Sequence, residues 1–122
     1  LHATTDSFEP VLGTEITFVC VGTPSNGSGS LDLGGITAVT QQIGRALRVK
    51  SSHHCVVFRS TVLPGTVRKE LIPLLSRASQ KEAHRDFDVC FLPEFLREGA
   101  AVHDFLHPDP QGVSKVGLRM PW

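Results

Sequence analysis

The sequence predicts an α/β protein: half of a doubly wound parallel sheet, in the order strand, helix, strand, helix, strand. Three observations carry this. Three short runs, Ile16–Val21, His54–Phe58 and Phe87–Leu92, are nearly continuously apolar, as parallel strands covered on both faces should be. Two amphipathic helical patterns lie between them. A polar segment bearing Gly or Pro closes each strand.

Each element has a local reason. Ile16-Thr-Phe-Val-Cys-Val21 is rich in β-branched and aromatic residues and runs into Gly22-Thr-Pro-Ser-Asn-Gly27, a turn sequence. Residues 27–30 read as a flexible loop before a helix, not as a domain linker. Asp32 is placed to N-cap a helix carrying Leu33, Ile36, Val39, Ile43 and Leu47 on one stripe. That helix ends near Lys50, with Arg45, Arg48 and Lys50 at its negative pole. The second strand leads into Arg59-Ser-Thr-Val-Leu-Pro-Gly-Thr66. Thr66 is placed to cap a second helix with Val67, Leu71, Leu74 or Leu75, and Ala78 inward. Pro73 lies inside that pattern and has no N–H, which predicts a kink or an early stop. After the third strand, Pro93 opens a segment in which Phe95, Leu96, Ala100 and Val102 fit a short helix or a bend.

Composition narrows the classes. A chain of 122 residues suits one small domain, since domains commonly run to ~100–150 residues. Hydrophobic residues make up 40% and charged residues 20%, so a core is expected rather than disorder. Net charge is zero, which leaves no electrostatic footprint for nucleic acid or an anionic membrane. The apolar runs are too short to span a bilayer, and no signal-peptide pattern appears. Three widely spaced cysteines, Cys20, Cys55 and Cys90, suggest neither a disulfide framework nor a metal site and fit a reducing, cytoplasmic setting. All three fall in apolar strands, where inert thiols of raised pKa are expected. His53, His54, His103 and His107 are read as surface residues. The last two are four apart, but the Glu of a zinc-binding helix is missing and Pro108 ends the pattern, so no metal is expected. The start at Leu1 and the patternless Val116–Trp122 tail lead us to expect cut ends.

In open α/β sheets, ligands bind beyond the carboxyl ends of the strands. That places any site at Gly22–Gly27, Ser60–Thr66 and Pro93–Gly99. Taken singly, these residues have ordinary readings. Thr23-Pro24 is common turn chemistry. Glu94 and Glu98 are four apart, share a helix face and fit a solvated acidic surface, with Arg97 as a weak partner. Their order at successive strand ends is the stronger signal.

That ordered set resembles the UDP-glucose/GDP-mannose dehydrogenase family. The resemblance rests on Val21-Gly-Thr-Pro-Ser25, Arg59–Thr66 and Pro93-Glu-Phe-Leu-Arg-Glu-Gly99. Ala3-Thr-Thr-Asp6, Asp32-Leu33, Asp104 and His107-Pro-Asp109 also fit. It implies a partial Rossmann-like fold, with residues 1–109 as the C-terminal half of an NAD-binding domain and residues 110–122 as a divergent or truncated tail. It implies NAD as cofactor, a nucleotide-sugar substrate, and a homo-oligomer when complete. The implied reaction takes C6 of the sugar from alcohol to carboxylate with two NAD, through a cysteine thioester. Carried over residue by residue, Thr61 and Glu94 are catalytic, Thr61 by holding a water and Glu94 by moving protons. Thr23, Ser60, Thr61 and Glu98 face the cofactor. Glu94, Phe95, Leu96 and Arg97 contact the substrate. Leu63 before Pro64 leans toward the GDP-mannose branch.

The chain also departs from the family. Leu92 stands where the family carries Asn, and Pro110-Gln-Gly-Val-Ser-Lys115 replaces an Arg and a strand. The GxGxxG fingerprint is absent, and Gly22 and Gly27 have P-loop spacing but Ser28 where Lys is required. No cysteine has the Gly-rich surroundings of the family's nucleophile. The isolated chain is therefore expected to be inactive. Two rival readings are a non-catalytic remnant, exposing an unpaired edge and an apolar face, and part of a β-hydroxy acid dehydrogenase, against which Pro93–Gly99 argues.

Overall fold

A computed structural model describes residues 2–27, 29–92 and 99–107. The three apolar runs form β1 (Ile16–Val19), β2 (Cys55–Phe58) and β3 (Asp88–Phe91), each a residue or two shorter than the run that predicts it. They pair in parallel in the order β1-β2-β3, with Val19, Phe58 and Phe91 level with one another. A sequential parallel order is that of one half of a doubly wound, Rossmann-like sheet.

The helices are α1 (Phe8–Gly13), α2 (Gly34–Val49), α3 (Ile72–Ser79) and α4 (Ala101–Leu106). On one face of the sheet, Val19, Val56, Phe58 and Val89 join Ile36, Ile43, Leu47, Leu71 and Leu75 in a single core. All nine are exposed by 2% or less. Gly44 lets α2 and α3 touch there. A Cβ at this position would lie 2.5 Å from the Ala78 Cβ, inside any normal contact.

Several expectations are corrected. β1 is not covered on both faces: Ile16 is 52% and Phe18 56% exposed. It is an edge of the described sheet, and alternation turns these two side chains away from the core. Cys20 follows β1 on that open face and is exposed rather than buried. The helix α1 has no sequence signal of its own length, yet it seats Val11 in the core. Asp6 starts it by accepting the Phe8 N–H at 2.9 Å.

Asp32 does not sit at the cap position of α2. Leu33 does, and the Asp32 carboxylate accepts the Gly34 N–H at 2.8 Å as a local turn just before the helix. Thr66 does not cap either. Its backbone is already helical, and a cap needs an extended one. Thr66 instead closes a turn, donating its N–H to the Leu63 carbonyl at 3.1 Å, with Pro64 and Gly65 between. Gly65 has φ of 91°, a conformation that this turn requires and glycine adopts without strain. Pro73 does not stop the helix. A wide π-type turn over Val67–Leu71 precedes it, and Pro73 falls in the first turn of α3. There the missing N–H costs least, and the wider turn relieves the ring's clash with the preceding carbonyls.

The amino end of the sheet holds two buried polar residues. Lys50 is 6% exposed and does not serve its own helix. Its ammonium donates to the Leu12 carbonyl at 2.7 Å and the Thr14 carbonyl at 2.9 Å, at the end of α1. The Lys50 carbonyl accepts from the Lys81 ammonium. His54 is 1% exposed, not a surface residue. Its Nδ1 lies 3.0 Å from the Thr14 carbonyl and its Nε2 2.9 Å from the Thr17 hydroxyl. A carbonyl only accepts, so Nδ1 carries the proton and Nε2 accepts from Thr17. Burial holds the imidazole below its ordinary pKa, with the Lys50 charge adding to the effect.

Candidate functional site at the carboxyl ends of the strands

The polar turns after β1 and β2 meet at the carboxyl end of the sheet. The Arg59 N–H donates to the Val19 carbonyl at 2.9 Å, the last main-chain rung between the two strands. Beyond it the strands part, and side chains bridge the gap. The Ser60 hydroxyl accepts the Val21 N–H at 2.9 Å and donates to the Val19 carbonyl at 3.4 Å. The Thr23 hydroxyl donates to the Thr61 carbonyl at 2.5 Å. Ser60 is buried, Thr23 half-buried and Thr61 exposed. The Thr61 hydroxyl makes no hydrogen bond among the described residues.

The start of α2 closes against the same place. A Cβ at Gly35 would stand 3.2 Å from the Val21 side chain, so the helix approaches the turn closely because the residue is glycine. Sequence reasoning did not single out Gly35. The paired glycines at the head of a helix are the signal that marks it. The loop between is closed by its own bonds. Asp32 N–H donates to the Pro24 carbonyl at 2.8 Å, and Asn26 Oδ1 accepts the Ser30 N–H at 2.9 Å. On β2's other side, the Leu92 N–H donates to the Phe58 carbonyl at 2.9 Å and carries the third strand up to the same level.

The structure thus brings Thr23, Ser60 and Thr61 together. Glu94, Phe95, Leu96, Arg97 and Glu98 lie outside the described residues. The groups with displaced titration lie elsewhere. Burial pushes the Cys55 thiol up, and Cys90 and Asp88 add to this, which lowers its thiolate content. Cys55 opens β2 at the far end of the sheet from Thr61. His103 and His107 stack with ring centroids 4.7 Å apart. Among the described residues no group of three or more His, Cys, Asp or Glu is placed to hold a metal ion. No helix among them is long and apolar enough to cross a membrane.

As chemistry, the arrangement offers fixed main-chain turns and, in Thr61, an exposed hydroxyl that bonds nothing among the described residues. A hydroxyl both donates and accepts, so it can orient a water or an alcohol. For NAD, the residues fit half of a dinucleotide site. The strand carboxyl ends are where such a cofactor lies, and Thr23 and Thr61 stand in the turns that follow two adjacent strands there. The Gly-rich strand–helix turn that receives a pyrophosphate is not in this sequence.

Comparison with known proteins agrees with this geometry. Residues 1–115 match the profile of the UDP-glucose/GDP-mannose dehydrogenase family, NAD binding domain. The chain is 52% identical to the GDP-mannose 6-dehydrogenase of Pseudomonas aeruginosa over 108 residues, 88% of this chain and 25% of that protein. It is 43% identical to the UDP-glucose 6-dehydrogenase of Haloferax volcanii over 109 residues, 89% of this chain and 25% of that protein. It superposes on the crystal structure of a ternary complex of GDP-mannose dehydrogenase from Pseudomonas aeruginosa with a TM-score of 0.79 at 53% identity, covering 84% of this chain and 23% of that one. A UDP-glucose dehydrogenase from Pyrobaculum islandicum gives a TM-score of 0.75 at 39% identity, covering 87% and 24%. The chain therefore spans about a quarter of the length of the relatives it matches. With its parallel β1-β2-β3 sheet and its strand-end turns, the chain belongs to the UDP-glucose/GDP-mannose dehydrogenase family, within the NAD-binding domain.

Proposed function

We propose that residues 1–109 form the second half of the NAD-binding domain of a nucleotide-sugar 6-dehydrogenase, and that the 122-residue chain alone does not turn over substrate. The observation that carries this is the meeting of Thr23, Ser60 and Thr61 at the carboxyl ends of adjacent parallel strands. Thr23, Ser60, Thr61 and Glu98 belong to the cofactor side, and Glu94, Phe95, Leu96 and Arg97 to the sugar-nucleotide side. Bound nicotinamide supplies hydride acceptance. The Thr61 hydroxyl orients a water beside the reacting carbon, and Glu94 moves protons there, a role that requires a base to come within ~2.6–3.2 Å of the proton's carrier. GDP-mannose is the substrate we favour over UDP-glucose. Support comes from Leu63 before Pro64 and from the higher identity to the GDP-mannose enzyme, 52% against 43%.

The test is to express the complete reading frame that contains this segment, alongside the 122-residue chain, and follow NADH formation with each sugar nucleotide. Turnover of GDP-mannose by the complete polypeptide and none by the chain is the expected result. No NADH from either sugar nucleotide sinks the assignment, and a preference for UDP-glucose reverses its substrate.

A further inference from the structure

We propose that Ser60 is a positioning residue. It ties the Val21–Thr23 turn after β1 to the end of β2, so that Thr23 and Thr61 are held side by side. The inference rests on the dehydrogenase reading above for its functional consequence, but not for its geometry.

Past the Arg59–Val19 rung the two strands separate, and the next N–H of β1's extension has no main-chain carbonyl to meet. The Ser60 hydroxyl takes that carbonyl's place, accepting the Val21 N–H at 2.9 Å. Its own proton points back at the Val19 carbonyl, 3.4 Å away. Ser60 is 5% exposed, so its hydroxyl is committed to these main-chain partners. Two residues on, a second tie runs the other way, from the Thr23 hydroxyl to the Thr61 carbonyl. The two ties consume the Ser60 and Thr23 protons. Thr61 is left as the exposed hydroxyl, on a turn that is already fixed when a ligand arrives.

Ser60→Ala, Ser60→Thr and Thr23→Val test this in two ways. Amide exchange on the 122-residue chain reads the tie itself. In Ser60→Ala the Val21 amide should exchange about tenfold faster, the scale of one lost hydrogen bond. Val56 and Val89 should stay protected, and Ser60→Thr should restore Val21. Steady-state kinetics on the complete polypeptide read the consequence. Ser60→Ala should raise the KM for NAD about tenfold with kcat within about twofold, on the same scale. Thr23→Val should give a smaller rise, and Ser60→Thr should return the wild-type value. Unchanged Val21 exchange in Ser60→Ala overturns the tie. Faster exchange with an unchanged KM for NAD overturns the positioning role. If Ser60→Ala also loses Val56 and Val89 protection, Ser60→Thr decides, and its failure to restore the wild-type KM overturns the proposal too. A wild-type polypeptide that forms no NADH sinks the dehydrogenase reading, while exchange on the chain still decides the tie.

Discussion

Lys50 and His54 at the amino end of the sheet, and Ser60 and Thr61 at its carboxyl end, show two uses of polar side chains. At the amino end the side-chain bonds of these two residues run to the main chain at the end of α1 and to β1. Lys50 and His54 both bond the Thr14 carbonyl, Lys50 also bonds Leu12, and His54 also receives the Thr17 hydroxyl. Both residues are buried. At the carboxyl end Ser60 is buried and spent in the same way, but its neighbour Thr61 is exposed and its hydroxyl unused among the described residues. A buried polar group must be satisfied or it destabilises the fold. An exposed and unspent one at a strand's carboxyl end is available to a ligand. The contrast separates the end that holds the sheet together from the end that we propose receives the ligand.

Lys50→Met is the strongest way to break that contrast, and it should act on stability. The apolar stem is kept, but the Leu12 carbonyl and the Thr14 carbonyl each lose the ammonium as a donor. We expect a loss of about 2 kcal/mol, the scale of hydrogen bonds made by a charged group. A lower urea midpoint at unchanged slope would report it. A loss under about 0.5 kcal/mol, the level of an ordinary surface substitution, would mean that water replaces the ammonium and that the amino end is not a lock.

His54 should give a smaller effect, visible as pH dependence. Its folded pKa lies below the ordinary histidine value of 6.5 because burial penalises the charged ring. The unfolded chain therefore binds more protons as pH falls below that value. Stability is full above the unfolded pKa and is lost as pH falls toward the folded one. Urea titrations between about pH 8 and about pH 5 should show the wild type losing more stability than His54→Gln, which has nothing there to protonate. Parallel curves for the two proteins would show that the ring is already charged in the fold.

Much of this was legible in the sequence, and the misses have physical causes. The three strands carry nearly continuous apolar runs and α2 a long periodic stripe, which burial imposes. The short α1 does not, because six residues are too few to show a period. A cation at a helix end looks the same whether it serves that helix or, like Lys50, a neighbouring one. His53-His54 reads as a polar pair, but alternation at the strand entry sends one ring inward, and only the Thr14 and Thr17 partners show which. Ser60-Thr61 posed the same problem. The motif located the pair at the strand end. Which hydroxyl faces out depends on the direction in which β2 enters the core, and that is set by Phe58 and Val56 packing against the helices.

Thr61→Val should have the smallest effect on stability of any change discussed, and for that reason it sharpens the comparison most. Valine keeps the shape and β-branching and removes only a hydroxyl that bonds nothing among the described residues. The Thr61 carbonyl, which Thr23 needs, is untouched. Stability should stay within about 0.5 kcal/mol of wild type, as for other exposed positions. In the complete dehydrogenase, kcat should nonetheless fall by at least about tenfold, if the hydroxyl orients the reacting water. A stability loss above about 1 kcal/mol, the worth of a typical native hydrogen bond, would mean that Thr61 is spent on the fold as Ser60 is. The carboxyl end would then be built like the amino end, and the unspent hydroxyl that marks it as the working end would have to be sought in another residue.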